Sequence, residues 1–322
     1  ITLKSGMLEK KIKVRQSGGA NSYVVRFEVG DMSTVTLRIP MAFASHSLNE
    51  ATGKIPTFRG GKCTAKVWWY ETAASKPVTF ATRVNLPYIE VDATPAGSKI
   101  GGNAVIALID GDGIGMVGGI DPAKVVWTFH VWAMERTDDI DTFYHNPNRE
   151  YMLRTVLGKH KDNNGMFYQW GRKDPFPQYT TQASPRFVRA EPVSSVCTES
   201  YVVEHPTVFF TGGTSWLNVP VLGGRWKEGV KVAHADPCPT GWRVPSDGEK
   251  NRWDRIGLQP GSLNSSDGSY NSTSYGFWLA SRDGESTYPY WIESGFDVNK
   301  LVTNSSANGY SVRCIKDIKL VN

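Results

Sequence analysis

Two stretches decide the fold class: Gly102-Asn103-Ala104-Val105-Ile106-Ala107-Leu108-Ile109 and Val125-Val126-Trp127-Thr128-Phe129-His130-Val131-Trp132. Each is of strand length, rich in β-branched and aromatic residues, and bounded by turn residues, so each reads as an apolar β-strand. His130, between Phe129 and Val131, reads as a core histidine. Between the two runs, Asp110-Gly111-Asp112-Gly113 resembles the opening of a calcium loop, but Ile114 stands where the third ligand belongs. A Gly-rich turn between strands accounts for it.

Outward from this pair the β pattern continues. Cys63 to Tyr70, Val78 to Val84 and Tyr88 to Val91 add strands. Tyr23 to Val29 and Ser33 to Ile39 flank Gly30-Asp31 and read as a hairpin. Short strands at this spacing predict a β-sandwich over 18–137. Residues 8–16 alternate through Lys11, Ile12, Lys13, Val14 and Arg15, as a charged edge strand does. They are either the first strand of the sandwich or, with 1–17 set apart, the last strand of a truncated upstream domain.

Composition agrees. The 322 residues carry 36 Lys and Arg against 31 Asp and Glu, a net charge of +5, and no stretch packs about five or six like charges together. That excludes a dedicated nucleic-acid or membrane-surface protein. Trp 11, Tyr 13 and Phe 13, with Gly 32 and Pro 18, describe a loop-rich, aromatic-cored β protein. No apolar run reaches the roughly 20 residues of a membrane span. The four cysteines, Cys63, Cys197, Cys238 and Cys314, lack zinc-site spacing, which leaves disulfides or buried thiols.

Beyond Thr137 strands thin out and loops lengthen, which puts a boundary near Arg136–Asp141 and a second domain at 138–322. Ser246 and Glu249 form the pattern of a capping box ahead of a helix of roughly ten residues, with Trp253 and Ile256 at helical spacing and Gly257 as a stop. A Ser/Asn/Gly loop from Gly261 to Ser274 follows. Aromatic segments then run over Tyr275 to Ser281, Tyr288 to Glu293 and Tyr310 to Ile315.

No nucleophile elbow, phosphate loop, dinucleotide fingerprint or zinc-binding histidine pattern is present, so no catalytic residue, metal site or cofactor is assigned. What remains is aromatic residues in polar loops. Ring faces stack on sugars and planar polar groups bind hydroxyls. Tyr270, Tyr288 and Tyr290, with Arg282, Asp283 and Glu285, form the candidate ligand-binding set. The competing reading is that these rings fill the core of a fold poor in regular structure.

Four segments, in order, resemble the Fibrobacter succinogenes major paralogous domain. They are Gly165-Met166-Phe167-Tyr168-Gln169-Trp170-Gly171-Arg172-Lys173-Asp174-Pro175-Phe176, Asp236-Pro237-Cys238-Pro239-Thr240-Gly241-Trp242-Arg243-Val244-Pro245-Ser246, Gly276-Phe277-Trp278-Leu279-Ala280-Ser281 and Ser311-Val312-Arg313-Cys314-Ile315-Lys316-Asp317. Met152 to Gly158 departs from the usual Met-Asp-Arg-Asn-Leu-Gly. In the first half, Ala20-Asn21-Ser22-Tyr23-Val24-Val25, Gly102 to Ala107 and Val126 to Trp132 are similar to segments of fimbrillin-like surface proteins of Bacteroidetes, with Ser22 in place of their Cys.

The resemblance implies a β-rich chain of two domains, an N-terminal β-sandwich followed by an α+β C-type-lectin-like domain. It implies a non-enzymatic cell-surface adhesion component, exported and outer-membrane associated or fimbrial. The expected partners are a host or microbial glycan or surface protein and other fimbrial subunits. The alternatives are a purely structural or anchoring module of a surface fibre and, more remotely, a formylglycine-generating-type enzyme. Lectin-like folds commonly tie a helix cysteine to the last strand, which points to a Cys238–Cys314 disulfide excluding Cys63 and Cys197.

Overall fold

The two apolar runs pair with each other, from Gly101 opposite Met134 to Ile109 opposite Val125, in one antiparallel ladder. The computed structural model describes residues 2–5, 8–11, 19–28, 30–54, 62–70, 78–96, 101–112, 120–135, 142–146, 149–152, 166–177, 189–221, 224–249, 261–273, 276–282, 289–293, 301–303 and 305–317. Among these residues strands predominate and the helices are short. In chain order, β1 (Thr2–Ser5) and β2 (Leu8–Lys11) form an antiparallel hairpin. Next come β3 (Ser22–Phe27), β4 (Val35–Pro40), α1 (Met41–Thr52), β5 (Cys63–Tyr70), β6 (Val78–Asn85), β7 (Tyr88–Pro95), β8 (Gly101–Asp110) and β9 (Val125–Glu135). They build two sheets, of order β3-β9-β8-β5 and β4-β7-β6. The sheets share a core in which Val25, Phe27, Ile106, Phe129 and Val131 of the first meet Leu37, Ile39, Ile89 and Val91 of the second.

The rest of the chain adds β10 (Thr142–Asn146), β11 (Arg149–Met152), β12 (Phe167–Gln169), β13 (Arg189–Pro192), α2 (Glu199–Glu204), β14 (Val208–Thr211), β15 (Trp242–Arg243), β16 (Ser262–Leu263), β17 (Tyr270–Asn271), β18 (Gly276–Arg282), β19 (Pro289–Glu293), β20 (Leu301–Thr303), β21 (Gly309–Ser311) and β22 (Ile315–Lys316). The largest sheet runs β17-β16-β21-β18-β19-β20, with β12 also on β21; a second has the order β10-β11-β22-β15.

β9 shows why its sequence is apolar throughout. Successive strand residues face opposite sides. Trp127, Phe129, Val131 and Ala133 enter the core between the first two sheets. Trp132 and Met134 turn the other way, with Val105 and Trp69, into a cluster that contains Met166, Tyr168, Trp170, Trp226, Trp278 and Tyr310. The early sheet is therefore covered on both faces, and the later residues supply the second cover.

Three expectations change. Tyr23–Val29 and Ser33–Ile39 are not a hairpin: β3 pairs with β9 in parallel, and β4 pairs with β7 in the opposite sheet. The Gly30-Asp31 turn is real, with Gly30 at φ 77 and the Ser33 amide donating to the Asp31 carboxylate at 2.8 Å, but it carries the chain from one sheet to the other. A helix stands where none was expected. α1 buries Met41, Ala44, Ser47 and Leu48 and ends at Gly53, whose φ of 69 gives it a left-handed cap. Finally, the Tyr310 to Ile315 segment is split between β21 and β22, on different sheets. Of the expected capped helix, a 3-10 turn at Asp247–Glu249 is described, and 250–260 lie outside the described residues.

Cys238 and Cys314 are joined, with Cα atoms 6.0 Å apart and a sequence separation of 76, while Cys63 and Cys197 are thiols. The bridge lies in the core beside Ala235, Val244 and Val312 and holds the end of the chain to the approach to β15. Replacing both bridged cysteines by serine will lower the unfolding free energy by about 4 kcal/mol on the chain-entropy account. Urea titration of the double variant against the oxidised protein checks this, and an unchanged midpoint would show that the closed loop contributes nothing.

Candidate functional site

Among the described residues, the densest chemistry lies where the later residues cover β9. After β12 the chain turns at Gly171, at φ 81, where an added Cβ would come within 3.2 Å of both Val221 and Arg225, so glycine is required. The turn sends Arg172, Lys173 and Asp174 inward, and all three are buried. Lys173 Nζ donates to Asp174 Oδ1 at 2.6 Å, to the Thr128 carbonyl at 3.1 Å and to the Thr128 hydroxyl, and lies 4.5 Å from the Trp127 ring centroid. The Thr128 hydroxyl in turn donates to Asp174 Oδ1 at 2.6 Å. Burial lowers the Lys173 pKa and the adjacent Asp174 opposes that shift. Arg172 donates to Gln169 Oε1 at 3.0 Å and to the carbonyls of Val208 at 2.6 Å and His205 at 3.0 Å, with Phe176 and Phe210 against its guanidinium. Burial pushes its pKa down to about 10.

A second set of contacts crosses the same junction at the start of β3. Asn21 Nδ2 donates to the carbonyls of Ala233 at 2.8 Å and Asp236 at 3.1 Å, and its Oδ1 accepts from Trp127 Nε1 at 3.1 Å. The Ser22 hydroxyl donates to the Pro237 carbonyl at 2.6 Å. Asp236 holds the receiving loop, accepting from the Cys238 amide at 2.7 Å and the Val244 amide at 3.1 Å. Lys231 donates to Asp236 Oδ1 at 3.2 Å and to the carbonyls of Cys238 and Trp242 at 2.6 and 2.8 Å. Every one of these groups is spent on the fold, so the arrangement binds two parts of the chain together.

The capping pair forms in altered form. Glu249 Oε2 accepts from the Ser246 amide at 2.8 Å and hydroxyl at 2.7 Å, and its carboxylate is also clamped by Arg243. Burial alone would raise the Glu249 pKa, but the hydrogen bonds from Arg243 and Ser246 outweigh it and hold the group at about 2.

The residues proposed from sequence to bind a ligand are placed as follows. Tyr270 lies in β17, half-buried, its ring 6.0 Å from that of Phe167 and packed on the Phe167, Phe176, Phe209 and Leu263 cluster. Gly261 makes room for it: at φ 75, an added Cβ would fall 2.5 Å from the Tyr270 ring. Arg282 ends β18, its guanidinium 5.4 Å from the Trp170 ring centroid, and burial lowers its pKa. Tyr290 lies in β19 opposite Thr303. Asp283, Glu285 and Tyr288 lie outside the described residues. Tyr270 and Arg282 are thus each packed on a different part of the core. A separate half-open cavity of about 180 Å³ lies between α1, the Asp110 turn and α2, lined by Leu48, Lys54, Lys124, Val126, Ser200, Val203 and Glu204, but Lys54 and Glu204 pair with each other at 3.3 Å.

In the sequence, the Arg172-Lys173-Asp174 and Asn21-Ser22 segments carry the resemblance but no assigned role. Charged residues embedded in an aromatic run, Phe-Tyr-Gln-Trp-Gly-Arg-Lys-Asp-Pro-Phe, were the available signal. Among the described residues no three His, Cys, Asp or Glu side chains converge as metal ligands. Comparison with known proteins adds no assignment: no family model, curated protein or solved structure matches the chain.

Two predictions rest on this geometry. Lys173→Met leaves Asp174 buried without its cation and should cost about 3–5 kcal/mol, whereas changing Lys173 and Asp174 together to Met and Leu should recover much of that loss. Chemical denaturation of the single and double variants reads both. The Glu249 pKa is depressed in the folded state, so its contribution is present above the unfolded carboxylate range and is lost as pH falls from about 4.5 toward 2. Glu249→Gln should flatten stability over that interval, as thermal melts between pH 5 and pH 2.5 will show.

Proposed function

We propose that this chain is an exported cell-surface adhesion component, fimbrial or outer-membrane associated, built as a β-sandwich followed by a C-type-lectin-like domain. The observation that carries the reading is the Cys238–Cys314 disulfide, a bond that persists outside the reducing cytosol. The segments that resemble the Fibrobacter succinogenes major paralogous domain support it, because Tyr168, Trp170 and Trp278 from them share one cluster with Trp132 of the strand that resembles fimbrillin-like proteins. No helix among the described residues is long and apolar enough to cross a membrane. On this reading the aromatic loops after Gly261 present a surface to a glycan or to a host or microbial surface protein, and other fimbrial subunits hold the chain in a fibre.

The second reading, a structural or anchoring module without a ligand, is favoured by one observation: Tyr270 and Arg282 are packed on Phe167 and Trp170. Glycan-array binding and matrix-protein pull-down with the full chain separate the two. The adhesion reading predicts binding that is abolished in Tyr288→Ala and Tyr290→Ala with melting temperatures unchanged. Tyr270→Ala should instead lower stability by about 2 kcal/mol. No binding by the folded protein on either assay would overturn the adhesion reading.

A further inference from the structure

His130 occupies the middle of the junction. On β9 it shares a face with Thr128, which bonds Lys173 and Asp174, and with Trp132, which packs into the later core. The residues opposite it in the ladder are Val105, in that same core, and Ser22, bonded to Pro237. The ring is 1% exposed and neither of its nitrogens has a hydrogen-bond partner. An imidazole so placed is held neutral by its surroundings.

The charges nearby give a proton no compensation. On the same strand faces, Thr128, Trp132, Val105, Asn103 and Val24 carry no charge, and Arg26, the one charged residue of β3, is a further cation. From the later part of the chain come Arg172, Lys173 and Lys231 as cations, with Asp174 and Asp236 as carboxylates and Tyr168 as a buried phenol. Both carboxylates already accept from a lysine, Asp174 also from Thr128, and Asp236 from two backbone amides. A protonated His130 would therefore add a cation to a junction whose two carboxylates, Asp174 and Asp236, are already engaged.

We propose that His130 is an acid-sensitive latch: its protonation in mildly acidic solution parts the later chain from the β3-β9-β8-β5 sheet. Opening lets the ring gain water and its proton, so the open form binds the proton and the closed form does not. Burial pushes the folded-state pKa from 6.5 down to about 3. The closed state is thus fully favoured above about pH 6.5 and weakens as pH falls toward 3. Carboxylates such as Glu249 add their own loss only at lower pH. Burial also lowers the pKa of His234, half-buried against Glu50 at 3.1 Å, so it adds an acid response of its own.

Amide hydrogen exchange of the full chain between pH 8 and 4.5, corrected for intrinsic rate, tests this. Between pH 7 and 5 the opening constant for 166–176 and 236–244 should rise roughly twentyfold, while the β6–β7 hairpin at 78–95 keeps its protection. His130→Leu should abolish most of the rise, and substitution of the exposed His46 by Gln should leave it. Exchange of the imidazole C2 proton in the unaltered protein provides a reading that needs no variant: His130 should exchange far more slowly than the exposed His46 and show no titration near pH 6.5. The proposal is overturned if junction protection falls only below pH 4.5, if hairpin and junction lose protection together, if His130→Leu keeps the acid response, or if His130 C2 exchange follows His46.

Discussion

The contact of Thr128 with Lys173 and Asp174 is the constraint on which the rest of the architecture depends. Ions taken out of water are tolerated only where partners replace the lost hydration. Here the Lys173 ammonium finds Asp174, the Thr128 carbonyl and the Thr128 hydroxyl, and those partners exist only when the turn after β12 sits on β9 at one position. An apolar face would accept several registers. A buried charge with directional partners accepts few, and Asn21 and Ser22 fix the same docking from the neighbouring strand. The ion pair contributes positioning more than net stability.

Much of the later chain is irregular backbone, which raises the question of what satisfies its polar groups. Indole donors do part of this work. Trp170 Nε1 bonds the Leu279 carbonyl at 2.8 Å, Trp216 the Trp170 carbonyl at 2.7 Å, Trp226 the Ala235 carbonyl at 2.9 Å and Trp278 the Tyr168 carbonyl at 2.7 Å. Each buried tryptophan thus supplies apolar volume and a donor to a backbone carbonyl. Gln169 does likewise with its amide, donating to Phe210 and Ala307 at 2.8 Å each. That is why so loop-rich a segment can hold so large an aromatic core.

The sequence made the strands around Asp110 legible because burial on both faces leaves an unmistakable apolar run. It could not tell that β3 and β4 belong to opposite sheets, since a Gly-Asp turn fixes a change of direction and not the partner reached. α1 was hidden because its buried positions, Met41, Ala44, Ser47 and Leu48, mix small and polar residues, and Pro40 reads equally as the end of a strand. Tyr270 sits among Ser, Asp and Asn in sequence, so its packing on Phe167 depends on a contact across the fold that local context does not encode. For the same reason nothing in the local sequence marks Lys173 and Asp174 as buried partners of Thr128.

The central claim is that a polar junction welds the β9 sheet and the later chain into one cooperative body. Scanning calorimetry of the oxidised protein at pH 7.5, alone and with Lys173→Met, tests it most directly. The account predicts one transition in the unaltered protein, with calorimetric and van't Hoff enthalpies equal, and two resolved transitions once Lys173 is replaced. Two independent transitions in the unaltered protein, with neither moved by the substitution, would contradict it.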